Sequence, residues 1–389
     1  MKRLLCLVMV FLVSTAFVAV ANEEAEVYRQ IYKDAQTLQQ KYAAALNLIQ
    51  LQDREIAPIL SEALADLLRT QNNYVEASDK ELFGRTVKML ATALGDDKYD
   101  DAAPSLWGVV QQVSDPLARS EALIALGKIR ALDYAERIAL LLRNLDIAPG
   151  PDRDSDEKTA YGCILALEKL KDPRGFMPVF YAVDSWYTLR VRQQADRSLP
   201  NIVADPTDLI MDLIRTESAD RKLYALKEST ISQAPADRKI TADLLALSVG
   251  QATLPRDKTE AKVLADLRKL AFRSLITLKA TIEDEVDPAV TSYNSGFDDE
   301  ERLLALQALG VNAGDKAAAA LRDILLKLDS DQKSGIADET RNRMAKAAIE
   351  NAAATQNHMV RAALIAVASD DKWSNSIIYA AQNAAKGIQ

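Results

Sequence analysis

The residue types that most often perform chemistry are scarce in this chain. Among its 389 residues are two cysteines, Cys6 and Cys163, and a single histidine, His358. A Cys-His or Ser-His catalytic pair, or a histidine-rich metal site, would need a base or ligand that only His358 can supply. The sequence therefore favours a protein that is not an enzyme and that uses no cofactor.

One acidic stretch, residues 146–157, has carboxylates spaced like calcium ligands. Three aspartates alternate there: Asp152, Asp154 and Asp156. A calcium loop of this kind also needs Gly at its sixth position and a bidentate Glu at its twelfth. Counted from the first aspartate, those positions hold Glu157 and Cys163. We interpret the stretch as a solvated loop between helices, without a metal.

The charge balance excludes one broad class of partner. The chain carries 56 acidic and 48 basic residues, which gives a formal net charge of −8. Such a charge argues against sequence-independent binding to nucleic acid or to anionic lipid. With 49% hydrophobic and 27% charged residues, the chain has ample material for a packed structure.

The amino terminus has the three regions of a secretory signal. Lys2 and Arg3 precede an uncharged apolar stretch that ends in the small residues Ala-Val-Ala. We predict a signal peptide over residues 1–21, cleaved before Asn22, and hence a protein of the periplasm or the cell exterior with no membrane span after cleavage. A retained anchor is the alternative, but the apolar run is short for a bilayer and acidic residues follow it at once.

Apolar residues recur with the helical period along nearly all of the remaining chain. No run of alternating β-branched residues occurs, and there are only 13 glycines. The sequence predicts an all-α protein with about two-thirds or more of its residues in helices, well above the globular average. Gly95, Gly127 and Gly310 each follow an Ala-Leu pair. We expect them just past a helix end, where a positive φ is needed.

Two segments of the chain can be aligned residue for residue. The first contains Asp115, Arg119, Ala122 and Ala125-Leu126-Gly127, and the second contains Asp298, Arg302, Ala305 and Ala308-Leu309-Gly310 at identical offsets. A third copy opens at Thr188 and continues with Arg192, Ala195, Leu199 and Ile202, although Pro200 replaces the glycine. Recurrence of a helical hairpin that cannot bury its own apolar face is typical of stacked repeats.

These copies resemble the HEAT repeat, particularly the bilin-lyase-like variety with its first helix D-P-x-V-R-x-x-A-x-x-A-L-G-x-I. The resemblance implies a right-handed α-solenoid, a superhelix of stacked antiparallel helical hairpins. It would occupy residues 22–389 with roughly nine or ten HEAT-like repeats. Small alanine positions would let neighbouring helices approach closely while leucines and isoleucines fill the layer between them.

The family resemblance implies several functions. Some HEAT-like proteins attach bilin pigments, and one relative is a di-iron hydroxylase with repeated His-Glu pairs, which a chain with one histidine cannot supply. Pigment attachment inside the cell also does not suit a signal peptide. The sequence favours an exported scaffold or adaptor that binds protein partners. The alternatives are a cofactor- or enzyme-associated protein of the lyase-like kind and a filament built by end-to-end stacking.

Cys163 and His358 are interpreted as structural residues. In the repeat alignment, Cys163 takes the position of Ala122, Ala195 and Ala305, a small residue that faces into the helical layer. We therefore predict a buried, unreactive thiol, because a reactive one needs exposure and a nearby cation. His358 lies near the start of a late helix, where a surface or capping role is expected.

An aromatic cluster and three second helices supply the candidate partner-binding residues. The cluster holds Phe176 and Phe180, expected in the core, and Trp186 and Tyr187, which precede the next first helix. If exposed, this last pair would concentrate the binding energy, although a filling role at the junction is favoured. The second helices 134–144, 206–215 and 315–328 are expected to line a concave surface. Their charged candidates are Arg137, Arg143, Asp212, Arg215 and Arg322.

Overall fold

The computed structural model describes residues 23–336 and 338–388. Within these ranges, twenty α-helices occur and no residue belongs to a β-strand, so the predicted all-α class is confirmed. The predicted signal peptide, residues 1–21, lies outside the described residues. No helix of the described part is both long and apolar enough to cross a bilayer. The described residues form two compact units that divide between Val203 and Ala204, called unit 1 and unit 2 below.

Unit 1 is a stack of helical hairpins. Its helices are α1 (23–34), α2 (Leu38–Gln50), α3 (Ala57–Thr70), α4 (Ala77–Asp96), α5 (Ala103–Gln112), α6 (Pro116–Lys128), α7 (Ala135–Ile147), α8 (Arg153–Leu170), α9 (Phe176–Ala182) and α10 (Leu189–Ser198). The first helices α4, α6, α8 and α10 pack on one another in chain order. In the second layer, α3 packs on α5 and α7 packs on α9. Unit 1 is therefore an α-solenoid, as predicted.

Unit 2 repeats the plan. Its helices are α11 (Thr207–Thr216), α12 (Ala219–Ile231), α13 (Ala236–Ala252), α14 (Lys258–Leu278), α15 (Val286–Ser295), α16 (Asp299–Asn312), α17 (Asp315–Lys333), α18 (Glu339–Ala354), α19 (Arg361–Ser369) and α20 (Asn375–Gly387). The even-numbered helices from α12 to α20 pack successively, and so do the odd-numbered ones from α11 to α19. The hand of the superhelix stays a prediction.

The core of unit 1 follows from the helical period of its apolar residues. Leu123 and Leu126 of α6 and Ile164 and Leu167 of α8 are all 0% exposed. Residues three or four apart share one face of a helix, so each pair presents a continuous apolar stripe to its neighbour. Removal of such a side chain typically costs about 2–5 kcal/mol.

The positions of the repeat glycines differ from our expectation. Gly95, Gly127 and Gly310 lie inside α4, α6 and α16, and none of them has a positive φ. The left-handed residue comes three positions later in each copy, at Lys98 (φ 56°), Arg130 (φ 56°) and Ala313 (φ 55°). The connection to the second helix of the hairpin begins at this residue, and in most copies it contains a short 3₁₀ turn. The prediction of glycine at the turn was therefore wrong.

These glycines instead permit a close approach between first helices. A Cβ placed on Gly127 would lie 2.8 Å from the Cα of Ala166, and one on Gly95 would lie 2.9 Å from the Cα of Ala125. At the other end of the α6–α8 contact, a Cβ on Gly162 would lie 2.8 Å from the Cα of Ser120. Any side chain at these positions would force the backbones apart, so the glycines are required by packing.

We predict that Gly127→Ala destabilises the protein although it lies in a helix. Alanine in a helix interior is normally favoured over glycine by about 0.5–1 kcal/mol. Overpacking of the α6–α8 contact should outweigh that gain and lower the free energy of unfolding by about 1–3 kcal/mol. Urea unfolding followed by circular dichroism measures the change.

Gly108→Ala is the matched control in the same unit. Gly108 lies in the middle of α5, and its added Cβ would meet only the Leu68 Cδ1 at 3.0 Å and the Gln112 side chain at 3.9 Å. These side-chain ends can rotate away, so stability should stay the same or rise. Equal stability of the two variants would contradict a packing role for Gly127.

Candidate functional site

The junction before α10, residues 185–187, supplies hydrogen-bond donors to the carboxyl end of α7. The last carbonyl groups of a helix have no partner within the helix and must find one elsewhere. The indole Nε1 of Trp186 donates a hydrogen bond to the carbonyl oxygen of Leu145 at 2.7 Å. The hydroxyl of Ser185 donates to the carbonyl oxygen of Asp146 at 2.9 Å. The Arg153 guanidinium covers the indole ring, 5.1 Å from its centroid.

Tyr187 is buried at the same junction. Its side chain is 4% exposed, and its hydroxyl donates a hydrogen bond to Oδ1 of Asp146 at 2.9 Å. Tyr187 is therefore not an exposed binding anchor and has the filling role that the sequence favours at this junction, whereas Trp186 is partly exposed. The physical reason is that the end of α7 and the carboxyl group of Asp146 both need hydrogen-bond donors, which these two rings supply.

The residues singled out for nucleophilic chemistry lie as predicted. Cys163 is fully buried in α8, and burial raises the pKa of its thiol, with Asp146 adding to the rise and Arg119 opposing it. His358 is exposed in the 3₁₀ turn His358–Val360. Phe176 and Phe180 are in the core, at 1% and 2% exposure.

The aspartates of the acidic loop make local contacts. Asp152 accepts a hydrogen bond from the backbone N–H of Ser155 at 3.1 Å and so caps α8. Asp156 accepts from the backbone N–H of Gly150 at 2.7 Å, and Asp154 pairs with Lys158. In the described part of the chain, no group of three or more His, Cys, Asp or Glu side chains is placed to hold a metal ion.

The exposed face of α7 brings together two of the predicted partner-binding residues. Arg137 and Arg143 are both exposed on α7. Leu140 and Ile147 are exposed by 55% and 77% on the same side of the helix. Successive residues of a helix are separated by about 100°, which places these four side chains on one face, opposite the buried Ile138. Two exposed arginines and two exposed aliphatic residues on one helix face form a surface with both charge and apolar area.

Trp107 extends the α7 face onto the neighbouring helix. Its ring in α5 lies 5.7 Å from the ring of Tyr134, centroid to centroid, and both rings are half-buried. The guanidinium carbon of Arg137 is 6.0 Å from the Trp107 centroid and 5.4 Å from the Tyr134 centroid. Sequence reasoning missed Trp107, although it is one of only three tryptophans in the chain. We call Trp107, Tyr134, Arg137, Leu140, Arg143 and Ile147 the α7 surface.

The charged candidates of unit 2 form local ion pairs. On α11, Arg215 and Asp212 are paired at 3.0 Å, and both side chains are exposed. On α17, Arg322 pairs with its neighbour Asp323 at 2.7 Å. Exposed pairs of this kind typically contribute about 0–1 kcal/mol. Their membership of one continuous binding surface stays a prediction.

Three buried carboxyl groups have raised pKa values. Burial raises the pKa of Asp146 in unit 1 to about 7, while its hydrogen bond from Tyr187 acts in the opposite direction. In unit 2, burial raises the pKa of Asp243 to about 8 and that of Glu285 to about 7. Glu285 accepts a hydrogen bond from the side-chain amide of Asn312 at 3.1 Å. Asp243 and Glu285 are each 1% exposed, so we assign them to the core of unit 2.

Comparisons with known proteins identify no family for this chain. No protein-family model matches it, and no curated protein matches it. One similar solved structure is entitled "Circular tandem repeat protein with novel repeat topology and enhanced subunit contact surfaces". It shares 14% sequence identity, with 95% of this chain and 96% of that chain covered, at a TM-score of 0.23. A TM-score this low adds nothing to the fold described above.

We predict that Cys163 reacts slowly with thiol reagents in the folded protein. In the form comprising residues 22–389 it is the sole cysteine. Labelling should be complete only after denaturation, because a buried thiol with a raised pKa presents almost no thiolate. Cys163→Ala should change stability little, whereas Cys163→Leu should lower it by about 1–3 kcal/mol through overpacking. Rapid stoichiometric labelling of the native protein would contradict this prediction.

We also predict that unit 2 loses stability as the pH rises from about 5 to about 8.5. The pKa values of Asp243 and Glu285 are higher in the folded state than the ordinary values near 4. The folded state therefore binds more protons across this range. The stability that these groups contribute is present at low pH and is lost as the pH passes through the folded-state values. One group changes the free energy of unfolding by at most about 1.4 kcal/mol per pH unit.

Urea unfolding at several pH values measures this dependence. Asp243→Asn should make the free energy of unfolding depend less on pH, because the amide cannot ionise. Asp237→Asn is the control, since Asp237 lies on the same helix with an exposed side chain. An unchanged pH dependence in the Asp243 variant would show that its carboxyl group is not buried as described.

Proposed function

We propose that this chain is a non-enzymatic scaffold that binds a protein partner through the α7 surface of unit 1. The observation that carries the proposal is the stack of Arg137 on Trp107 and Tyr134, flanked by the exposed Leu140. Tryptophan, tyrosine and arginine are the residues that most often dominate interface energetics. The two rings hold the guanidinium in place, so fewer rotamers are lost when a partner binds.

The surroundings of the stack suit a protein partner. Ile147 and Leu140 add apolar area that a partner can remove from water, at about 25 cal/mol for each Å² buried. Arg143 adds a charge that can orient the partner during encounter. A surface with both kinds of group resembles the apolar centre and polar rim of specific interfaces.

The finer identity of the scaffold rests on the sequence. The aligned copies at Asp115 and Asp298 support a HEAT-like protein of the bilin-lyase-like variety, and the segment 1–21 supports export to the periplasm or the cell exterior. A single exposed histidine and a buried cysteine support a role without catalysis or cofactor. The net charge of −8 supports a protein rather than a nucleic acid as partner.

Site-specific photo-crosslinking in cells that express the protein tests the proposal. A photoreactive residue at position 140 should give a discrete protein adduct, because Leu140 is exposed beside the stack. The control is position 326, where Leu326 of α17 is 43% exposed in unit 2. Arg137→Glu should abolish the adduct at position 140 while the thermal midpoint stays unchanged.

Two results would count against the proposal. An adduct at position 140 that survives Arg137→Glu would show that the stack does not bind the partner. A purified protein that is coloured or carries a metal would instead support the lyase-like alternative, because a scaffold without a cofactor is colourless and metal-free.

A further inference from the structure

A basic groove crosses the carboxyl ends of three consecutive first helices in unit 1. Its volume is about 540 Å³, and it runs over the ends of α4, α6 and α8. Ten residues line it: Gly95, Asp96, Lys98, Gly127, Lys128, Arg130, Glu168, Lys169, Lys171 and Asn201. We call these residues the basic groove. It lies at the hairpin turns and shares no residue with the α7 surface.

The floor of the basic groove is a consequence of the close helix packing. Gly95 and Gly127 have no side chains to fill it, and lysines of the following repeat lie directly over them. A Cβ on Gly95 would lie 3.2 Å from Cδ of Lys128, and one on Gly127 would lie 3.2 Å from Cβ of Lys169. Because these glycines have no side chains, the close helix packing leaves the basic groove open between the lysines.

Most of the positive charge in the basic groove is not neutralised. Of the two acidic residues, Asp96 pairs with Lys128 at 2.6 Å. Glu168 accepts hydrogen bonds from the side chains of Ser198 at 2.7 Å and Asn201 at 3.1 Å. The other four basic residues form no ion pair with any described residue: Lys98, Arg130, Lys169 and Lys171. The groove is therefore locally positive in a chain with a net charge of −8.

Three of these cations occupy backbone positions that do not favour them. Lys98, Arg130 and Lys171 have φ values of 56°, 56° and 55°, in the left-handed region where Gly or Asn fits best. The left-handed region is unfavourable for residues that carry a Cβ. The interaction of a cation with the dipole at a helix carboxyl end offsets only part of that cost. Gln52 and Gln356 hold the equivalent turns elsewhere, so the turn itself does not require a basic residue.

We propose that the basic groove binds an extended, acidic segment of a protein partner. This proposal deepens the scaffold function and rests on it. Neighbouring packed helices are about 8–10 Å apart, which sets the step between successive cations. A chain in the polyproline II conformation advances about 3.1 Å per residue with three residues per turn, so three residues cover one step and every third side chain faces the same side. The segment that fits carries Asp or Glu at every third position, facing Lys98, Arg130 and Lys171 in turn.

A protein segment fits the groove better than a nucleic acid does. A strand of duplex DNA carries one phosphate for about every 3.4 Å of helix axis, roughly three for each cation in the row. The unmatched phosphates would face Asp96 and Glu168 and the negative field of the whole chain. A peptide can place uncharged residues at those positions, so its charges can match the row.

Fluorescence anisotropy with labelled peptides tests the proposal on the form comprising residues 22–389. The probe is Glu-Ser-Ser-Glu-Ser-Ser-Glu, with Ser-Ser-Glu-Glu-Glu-Ser-Ser as the control of identical composition. The spaced peptide should bind more tightly than the clustered one. Binding should weaken when the salt is raised from about 50 mM to about 500 mM, because the contacts are ionic and exposed.

The triple variant Lys98→Asn, Arg130→Asn, Lys171→Asn separates binding from folding. It should weaken binding of the spaced peptide at least about tenfold, since three charge contacts are lost. Its thermal midpoint should stay the same or rise, because Asn tolerates the left-handed region. Lys279→Asn is the matched control: Lys279 has φ 53° at the equivalent turn in unit 2, outside the basic groove. That control should leave binding unchanged.

Three outcomes would overturn the proposal. The first two are full binding of the spaced peptide by the triple variant and equal binding of the two peptides. The third is a single-stranded oligonucleotide that binds more tightly than the spaced peptide and no longer binds to the triple variant. The adduct at position 140 is measured separately and depends on Arg137, not on the basic groove. If the peptide experiments fail while the adduct at position 140 still depends on Arg137, only the proposal for the basic groove is rejected, and the proposal for the α7 surface stands.

Discussion

The close approach of consecutive first helices is the constraint on which unit 1 depends. Gly127 against Ala166 and Gly162 against Ser120 fix both ends of the α6–α8 contact at distances that no side chain would allow. Once the backbones are this close, leucines between them are fully buried and Cys163 has room only as a small packing residue. The same missing side chains open the floor of the basic groove. One packing requirement thus produces both the stack and the feature that we propose to bind a partner.

The ends of the helices impose a second requirement. A stack of short helices has many carbonyl groups without intrahelical partners, and each must be satisfied or left to water. At the end of α7 the partners come from the loop before α10, through Ser185 and Trp186. Beside them, the hydroxyl of Tyr187 donates a hydrogen bond to the carboxyl group of Asp146. Trp186 and Tyr187 therefore stabilise the fold through their hydrogen bonds. The aromatic residues available to a partner on the α7 surface are the half-buried Trp107 and Tyr134.

Unit 2 follows the same helical plan but is joined more by buried polar contacts. Arg268 of α14 pairs with Glu301 of α16 through two hydrogen bonds of 2.6 and 3.0 Å, and it also donates to the carbonyl of Gly250 at 2.6 Å. The Glu301 side chain is 1% exposed. A pair this buried stabilises little over an apolar contact, yet loss of one partner leaves an uncompensated charge. Arg268 thus joins α14 to both α13 and α16 through buried hydrogen bonds.

The sequence by itself determined the local and periodic properties of this protein. The helical period predicted the all-α class and a core position for Phe176 and Phe180, and the aligned copies predicted stacked hairpins with Cys163 buried. Only the tertiary structure decided which residues are exposed and which groups meet. It placed Gly127 within a helix contact and not at a turn, buried Tyr187, and joined Arg137 to Trp107. The reason is physical: a period records which face of a helix is apolar, but distances between helices depend on segments some thirty or forty residues apart.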